Sequence, residues 1–336
     1  MENSTVRPDT VNKLKFAVDA AFAMLAGMQL DVFTPLKDGP MTAERIASAV
    51  GVSPARLPLL LYALVAAGLL TEQHGRFSNT AEAHQFLVRG AAPWYMGNQH
   101  ALLSQRWVAN LPKTAESIRT GVPQVKLDFS NSSQEELETF LRRINVRTVT
   151  AAHALLENYD FSSTKTLADV GCGGAGLALA MADACPHIQA TAIDLPQVTP
   201  IAKKIVEEAG AIDRVNVMAA DVVRGPLPGA YDAVVVRGLL QVLSPEDARS
   251  ALKNIGAAIN PRGKIYIVGQ ILDNSRTSPP EAVGYNLVFI NSFAAGESYT
   301  EQEHREWLND AGFVDIERAS FVLADEHGLM TARKRE

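Results

Sequence analysis

From Thr166 onward short apolar runs alternate with helix-length segments, and this rhythm restricts the fold more than any other feature of the chain. Thr166–Val170, Ile188–Ile193, Val215–Ala219, Ala233–Val236 and Lys264–Val268 read as strands, with helical patterns near 178–184, 199–210 and 245–258 between most of them. Strands joined through helices run parallel, so the alternation predicts an α/β fold with helices on the faces of a parallel sheet. The tail breaks the pattern: Phe313–Val322 and Gly328–Ala332 flank Ala324-Asp325-Glu326-His327 and read as an antiparallel hairpin.

The first strand runs straight into Gly171-Cys172-Gly173-Gly174-Ala175-Gly176, which satisfies GxGxxG ahead of a helix. Glycine is needed where a nucleotide-like ligand approaches the backbone and where the chain turns sharply from strand to helix. The same spacing serves NAD, FAD and S-adenosylmethionine sites, or a tight turn alone. Two acids sharpen it. Asp194 ends the second strand and Asp221 the third, both at the carboxyl edge where such sheets bind ligands. A dinucleotide site has use for the first acid, on ribose hydroxyls, but not for the second, which suits the adenine of a mononucleoside cofactor.

The N-terminal part has a different rhythm. Leu14, Val18, Ala21, Phe22, Leu25 and Met28 mark an amphipathic helix within Val11–Phe33, followed by a helix–turn–helix whose second helix is expected to be capped by Ser53 and to open at Pro54. A turn at Gly75 between two strand candidates completes a winged-helix pattern. Such a module raises a DNA-binding or ligand-sensing reading, in which the second helix faces phosphates and base edges. That helix carries Arg56 as its one charge, and the whole chain has 31 basic against 37 acidic side chains, so a packing module is the better reading. The same acidic balance argues against a nucleic-acid or membrane partner and for a small molecule. Ala92–Gly121, with Trp94 and Trp107, and Gln134–Glu157 read as further helices.

Hydrophobic residues at 47% and charged residues at 20% are those of a globular protein with a sizeable core. The longest uncharged apolar run, Leu57–Leu70, is too short to span a bilayer and is expected to be a buried helix. The N-terminus lacks a secretory layout, and two cysteines are too few for a disulfide framework, so a cytoplasmic protein is expected. Cys172, Cys185 and His187 lack zinc-site spacing, no carboxylate cluster for magnesium stands out, and no metal is expected.

With these motifs in view, nearly the whole chain resembles the class I S-adenosylmethionine-dependent methyltransferases, and within them the small-molecule O-methyltransferases of bacteria and plants. The resemblance is carried by the winged helix at 42–70, SIRTGVP at 117–123, DVGCGGAG at 169–176, AIDLPQV at 192–198, AAD at 219–221 and YTEQEHREWLNDAGF at 299–313. It implies a Rossmann-like seven-stranded sheet closed by the antiparallel hairpin, behind a mostly α-helical dimerisation and substrate-enclosing domain, with residues 1–160 in that domain and 161–336 in the catalytic one. It implies S-adenosyl-L-methionine as cofactor, leaving as S-adenosyl-L-homocysteine, and a homodimer made through the N-terminal helices. Asp169, Gly171 and Gly173 are expected around the methionine part, Asp194 and Leu195 at the ribose, Asp221 and Val222 at the adenine, and Arg237 beside the cofactor.

The chain departs from the family at the expected proton acceptor. Many relatives carry a His-Asp pair after the fourth strand, whereas the matching segment here reads Leu239-Leu240-Gln241-Val242-Leu243, and the acids that steady that His align with Gly269 and Ser298. A glutamine orients a substrate but accepts no proton at neutral pH. The expectation is therefore methyl transfer to a small aromatic or polyketide-like metabolite by proximity and orientation, most readily O-methylation, with N- or C-methylation or a non-methylating member as alternatives. His100 and His153 are candidate replacement bases. Tyr285, Phe289 and Phe293 recur every four residues along one helix face near Asn286, and with Trp107 are candidates for the substrate pocket, or for plain core packing.

Overall fold

The computed structural model describes residues 6–91, 95–126, 132–319 and 328–336. They form two compact units, one up to Val108 and one from Ala109. This differs from the expected division at residue 160. The difference arises from the helix Gln134–Asn158, which packs on the helix Gly176–Ala184 of the second unit.

In the first unit, α1 (Asp9–Leu30) ends at Asp31 in the left-handed conformation. Strand β1 (Met41–Thr42) leads into α2 (Ala43–Val50), whose first turn is capped by Thr42, and then come α3 (Leu57–Ala66), β2 (Leu70–Gln73), β3 (Arg76–Asn79) and α4 (Ala81–Leu87). The strands form a small antiparallel sheet in the order β1-β3-β2. Two expectations need correcting. The Ser53-Pro54 segment forms a turn, with the helix starting only at Leu57, and α3 is not buried all round: Leu57, Leu61 and Leu64 enter the core while Leu59 and Tyr62 are exposed. The stretch expected as helix over Ala92–Gly121 is broken. It contains α5 (His100–Ser104), a π-helical turn at Gln105–Asn110, a 3-10 turn at Pro112 and, in the second unit, α6 (Thr114–Thr120); Trp94 lies outside the described residues.

The second unit continues with α7 (Gln134–Asn158), which opens with a reciprocal cap between Ser133 and Glu136. The alternation follows: β4 (Thr166–Val170), α8 (Gly176–Ala184), β5 (Gln189–Asp194), α9 (Thr199–Glu208), β6 (Val215–Ala219), β7 (Tyr231–Arg237), α10 (Pro245–Ala257) and β8 (Ile259–Val268). Then come α11 (Pro280–Ser292), α12 (Glu301–Asp310), β9 (Phe313–Arg318) and β10 (Leu329–Lys334). The seven strands are ordered β6-β5-β4-β7-β8-β10-β9, parallel from β6 to β8, with β10 antiparallel to both its neighbours. The hairpin read in the tail is therefore present as a strand pair, although the segment joining it, including 324–327, lies outside the described residues. Strand residues on both faces are buried, as a sheet covered by helices requires: Ala168 and Val170 point into one layer, Leu167 into the other.

The strand order has a consequence for function. The chain runs outward through β4, β5 and β6, then returns to place β7 on the other side of β4. Beyond the carboxyl ends of β4 and β7 the connections diverge, and a crevice opens there in sheets of this kind.

Candidate cofactor and substrate site

At this switch point the turn after β4 meets the turn after β7. Gly171 and Gly173 have φ of 76° and 54°, left-handed values that glycine adopts without strain. A Cβ on Gly171 would lie 3.3 Å from Leu239, and one on Gly173 would lie 3.3 Å from Leu141 of α7. Glycine is thus needed here both for conformation and for room.

The turn's polar groups are almost all spoken for within the protein. The N–H groups of Gly171 and Cys172 donate to the Ile193 carbonyl, that of Ala175 to Cys172, and that of Gly173 to the Asp194 carboxylate at 2.8 Å. Asp194 receives a second N–H from Leu195 at 2.7 Å, one on each oxygen. Burial raises its pKa, and these two donors oppose that rise. Each oxygen keeps a further lone-pair direction, which suits a pair of ribose hydroxyls.

Asp169 is 2% exposed and accepts the Ala178 N–H in the first turn of α8 at 3.2 Å. Burial, helped by the nearby Asp194 charge, pushes its carboxyl up to about 7, with the Ala178 N–H and Arg237 pulling the other way. Arg237, at the end of β7, is half-buried. Cys172 is buried too, and burial with the two carboxylates beside it raises the thiol well above its usual range. It therefore stays a thiol rather than a thiolate that would bind metal or attack substrate. Among the described residues no group of three or more His, Cys, Asp or Glu side chains is placed to hold a metal.

Asp221 closes its own turn, accepting the N–H groups of Val223 and Arg224, with the Arg224 guanidinium 3.5 Å away. Val222 is buried in the core layer with Ile193 and Leu227, and its carbonyl accepts from Asn254.

On the β7 side, Gln241 sits in the 3-10 turn Leu240–Val242 and is 1% exposed. Its amide fills the hollow left by Gly269 just past β8, where a Cβ would come within 1.8 Å of Nε2. The position expected for a base and one of those expected for its steadying acid are thus adjacent. The Gln241 Nε2 is buried without a hydrogen-bond partner among the described residues. Ser298, at the other acid position, instead donates its hydroxyl to the Ala282 carbonyl, while its N–H donates to the Asn286 side chain at 2.7 Å. Asn286 therefore ties α11 to the 296–299 segment. Next to it, the Tyr299 hydroxyl donates to Leu243, clamping the turn that carries Gln241.

The rings of Tyr285 and Phe289 on α11 and of Phe293, the extended residue that ends the helix rather than part of its face, form a ladder with centroids 5.2 and 6.2 Å apart, and Arg147 of α7 reaches the Tyr285 hydroxyl at 3.3 Å. Trp107 belongs to the first unit, 6.5 Å from Phe22. His100, in the same unit, has Nδ1 3.0 Å from the Gly97 carbonyl. His153 is exposed on α7, eight residues past Asn145 and so ~12 Å farther along the helix axis. Sequence reasoning missed Asn145 itself, whose side chain accepts the Gly176 N–H. The only signal for it was the lack of a capping side chain at Ala175, which asks for a donor's partner from elsewhere.

The family model of the O-methyltransferase domain matches residues 118–314 and that of the O-methyltransferase dimerisation domain matches residues 14–89. The chain belongs to the O-methyltransferase family. It is 26% identical, over 93% of its length and 91% of the relative's, to 3-hydroxy-5-methyl-1-naphthoate 3-O-methyltransferase of Streptomyces sahachiroi. It is 27% identical to the tetracenomycin polyketide synthesis 8-O-methyl transferase of Streptomyces glaucescens, over 92% of both chains. The structure of human N-acetylserotonin methyltransferase in complex with SAM superposes with a TM-score of 0.77 at 20% identity, covering all of both chains. The protein is an S-adenosylmethionine-dependent methyltransferase, and its dimerisation domain indicates homo-oligomerisation. Among the described residues no helix is long and apolar enough to cross a membrane.

Proposed function

We propose that this methyltransferase methylates an oxygen of a small aromatic or polyketide-like metabolite without a protein base. S-adenosylmethionine supplies a methyl group on a positively charged sulfur, a strong electrophile. The Gly171–Gly176 turn holds its methionine part, Asp194 its ribose hydroxyls, and Asp221 with the backbone of Val222 its adenine; Arg237 stands beside it. The ring ladder of α11 offers the flat apolar wall that an aromatic acceptor stacks on. No metal takes part. The exposed apolar side chains of α1, Val11, Leu14, Val18 and Phe22, supply a face for a second copy in a cytoplasmic homodimer.

The observation that carries this reading is the buried Gln241 amide packed against Gly269. General-base help is worth about 10²–10⁴ in rate, and orientation of reactants ~7–11 kcal/mol, so a base is dispensable only when the nucleophile ionises by itself. An ordinary phenol, with a pKa near ~10, is ionised at roughly one part in a thousand at pH 7. A phenol or enol acidified by a conjugated carbonyl is far better supplied.

The test is a panel of hydroxyarenes of graded acidity, incubated with the protein and isotope-labelled S-adenosylmethionine. The rise of kcat/KM with pH is expected to follow the pKa of each substrate. An inflection that stays at one pH across the panel and persists in Asp169→Asn would reveal a titrating base and overturn the reading, and label found on nitrogen or carbon would overturn the choice of oxygen. Asp194→Ala should weaken S-adenosylhomocysteine binding at least tenfold, since it removes the acceptors for both hydroxyls and strands the Gly173 and Leu195 N–H groups.

A further inference from the structure

Besides its ties to the neighbouring strand β5, the glycine turn is held from outside its own strand–turn–helix unit by helix α7. Helix α8 starts after Ala175, a left-handed residue (φ 57°) with no side chain able to cap. Its first N–H, on Gly176, is taken by Asn145 Oδ1 of α7 at 2.9 Å, and its third, on Ala178, by Asp169. Asn145 is itself fixed, because the Thr148 hydroxyl donates to its carbonyl at 2.7 Å and lies 3.1 Å from Oδ1. The fit is close. A Cβ on Gly174 would come within 2.9 Å of Asn145 Oδ1, and one on Gly176 within 2.3 Å of both Asn145 Oδ1 and Thr148 Oγ1. Leu141 and Ile144 of the same helix lie over Gly173. Gly174 and Gly176, which have no left-handed φ, are therefore glycines because α7 lies against them.

We infer that Asn145 is a positioning residue for the adenosyl cofactor: by holding the Gly176 N–H it sets the turn in its binding conformation before the ligand arrives. The N–H groups of Gly171, Cys172, Gly173, Ala175 and Ala178 are tied instead to β5, to Cys172 or to the two carboxylates. Asn145 alone among these partners comes from α7, and α7 is also the helix that reaches Tyr285 of the ring ladder through Arg147. One helix therefore braces the cofactor turn on one side and the α11 wall on the other.

The test uses the full chain and S-adenosylhomocysteine titrated calorimetrically into wild type, Asn145→Ala, Asn145→Asp and Gly176→Ala. Asn145→Ala is expected to weaken binding about tenfold, as the loss of one well-placed hydrogen bond does, and to raise KM for S-adenosylmethionine in proportion while kcat changes less than about twofold. Asn145→Asp keeps the accepting oxygen and is expected to retain most of the affinity. Gly176→Ala pushes the same contact apart from the other side and should weaken binding like Asn145→Ala, which keeps the test decisive if one variant folds poorly. A lower melting temperature with unchanged affinity in the folded protein would reduce Asn145 to a packing residue and overturn the inference. So would an Asn145→Asp variant no better than Asn145→Ala. Failure of the wild type to bind S-adenosylhomocysteine would instead strike the cofactor assignment, and the inference with it.

Discussion

The two turns that meet at the switch point are both shaped by glycine, yet they leave different debts. After β4 the glycines admit a neighbouring helix, and N–H groups of the turn find partners, two of them the carboxylates of Asp169 and Asp194. After β7 and β8 the glycine at 269 admits a side chain, Gln241, whose amide nitrogen finds no partner among the described residues. The first arrangement satisfies hydrogen bonds but concentrates negative charge in a dry place. The second carries no charge and leaves a donor unmet. Sensitivity to pH should therefore reside in the cofactor turn, and sensitivity to shape in the Gln241 turn.

The largest expected effect comes from charge. Asp169 is pushed up to about 7 by burial, far above the value near ~3.9 of an unfolded chain. The fold thus favours its protonated form. That stabilisation is complete below pH ~4 and is withdrawn as pH rises through about 7, a displacement worth up to ~4 kcal/mol between the two protonation states. Asp169→Asn keeps an oxygen for the Ala178 N–H and cannot ionise. Its melting temperature is expected to match wild type near pH 4 and to exceed it increasingly up to pH 8. A wild-type-to-variant gap that stays constant across this range would show that Asp169 does not carry the charge burden of the turn.

A shape change at Gly269 should come next. Gly269 has no left-handed φ, so valine there is opposed by space alone. Its Cβ would displace the Gln241 amide, and overpacking of this sort costs about 1–3 kcal/mol. Gly269→Val is expected to lower the melting temperature without adding any pH dependence, while Gly269→Val with Gln241→Ala should recover most of the loss. Additive losses in the double variant would break the pairing of these two positions.

The same contrast explains what the sequence made legible. The sheet's parallel strands came from apolar period and length, and the glycine turn with Asp194 from a spacing tied to local backbone chemistry. Both signals lie within a few dozen neighbouring residues. The two compact units divide at residue 108 rather than 160, because α7 joins the second through long-range packing on α8 that no local pattern announces. Likewise Asn145 stands 31 residues before the N–H it accepts, and an asparagine inside a long helix resembles any exposed polar residue. At Gln241 the sequence supports the expectation of an absent base, with Gly269 and Ser298 at the expected acid positions. It did not reveal that Gln241 turns into the space of one acid, or that Ser298 had been reused to hold α11, since both depend on side-chain direction.

The smallest expected effect separates the two parts that Gln241 can play. If its amide only fills the Gly269 hollow, the unmet Nε2 donor is a cost of about 1–3 kcal/mol that an apolar side chain of similar length avoids. Gln241→Met should then raise the melting temperature slightly and leave kcat for an acidic phenol within a few-fold of wild type, because no proton was ever passed to residue 241. If the amide swings out to hold the substrate, Gln241→Met should still be the more stable protein, but KM for the acceptor should rise and kcat fall together as orientation is lost. Abolished turnover at unchanged acceptor affinity would contradict both, since neither filling nor orienting removes the chemical step alone. Steady-state kinetics beside a melting curve distinguish these outcomes, and the comparison of Gln241→Met with Gln241→Ala isolates the part owed to filling: the alanine reopens the hollow, whereas the methionine keeps it closed.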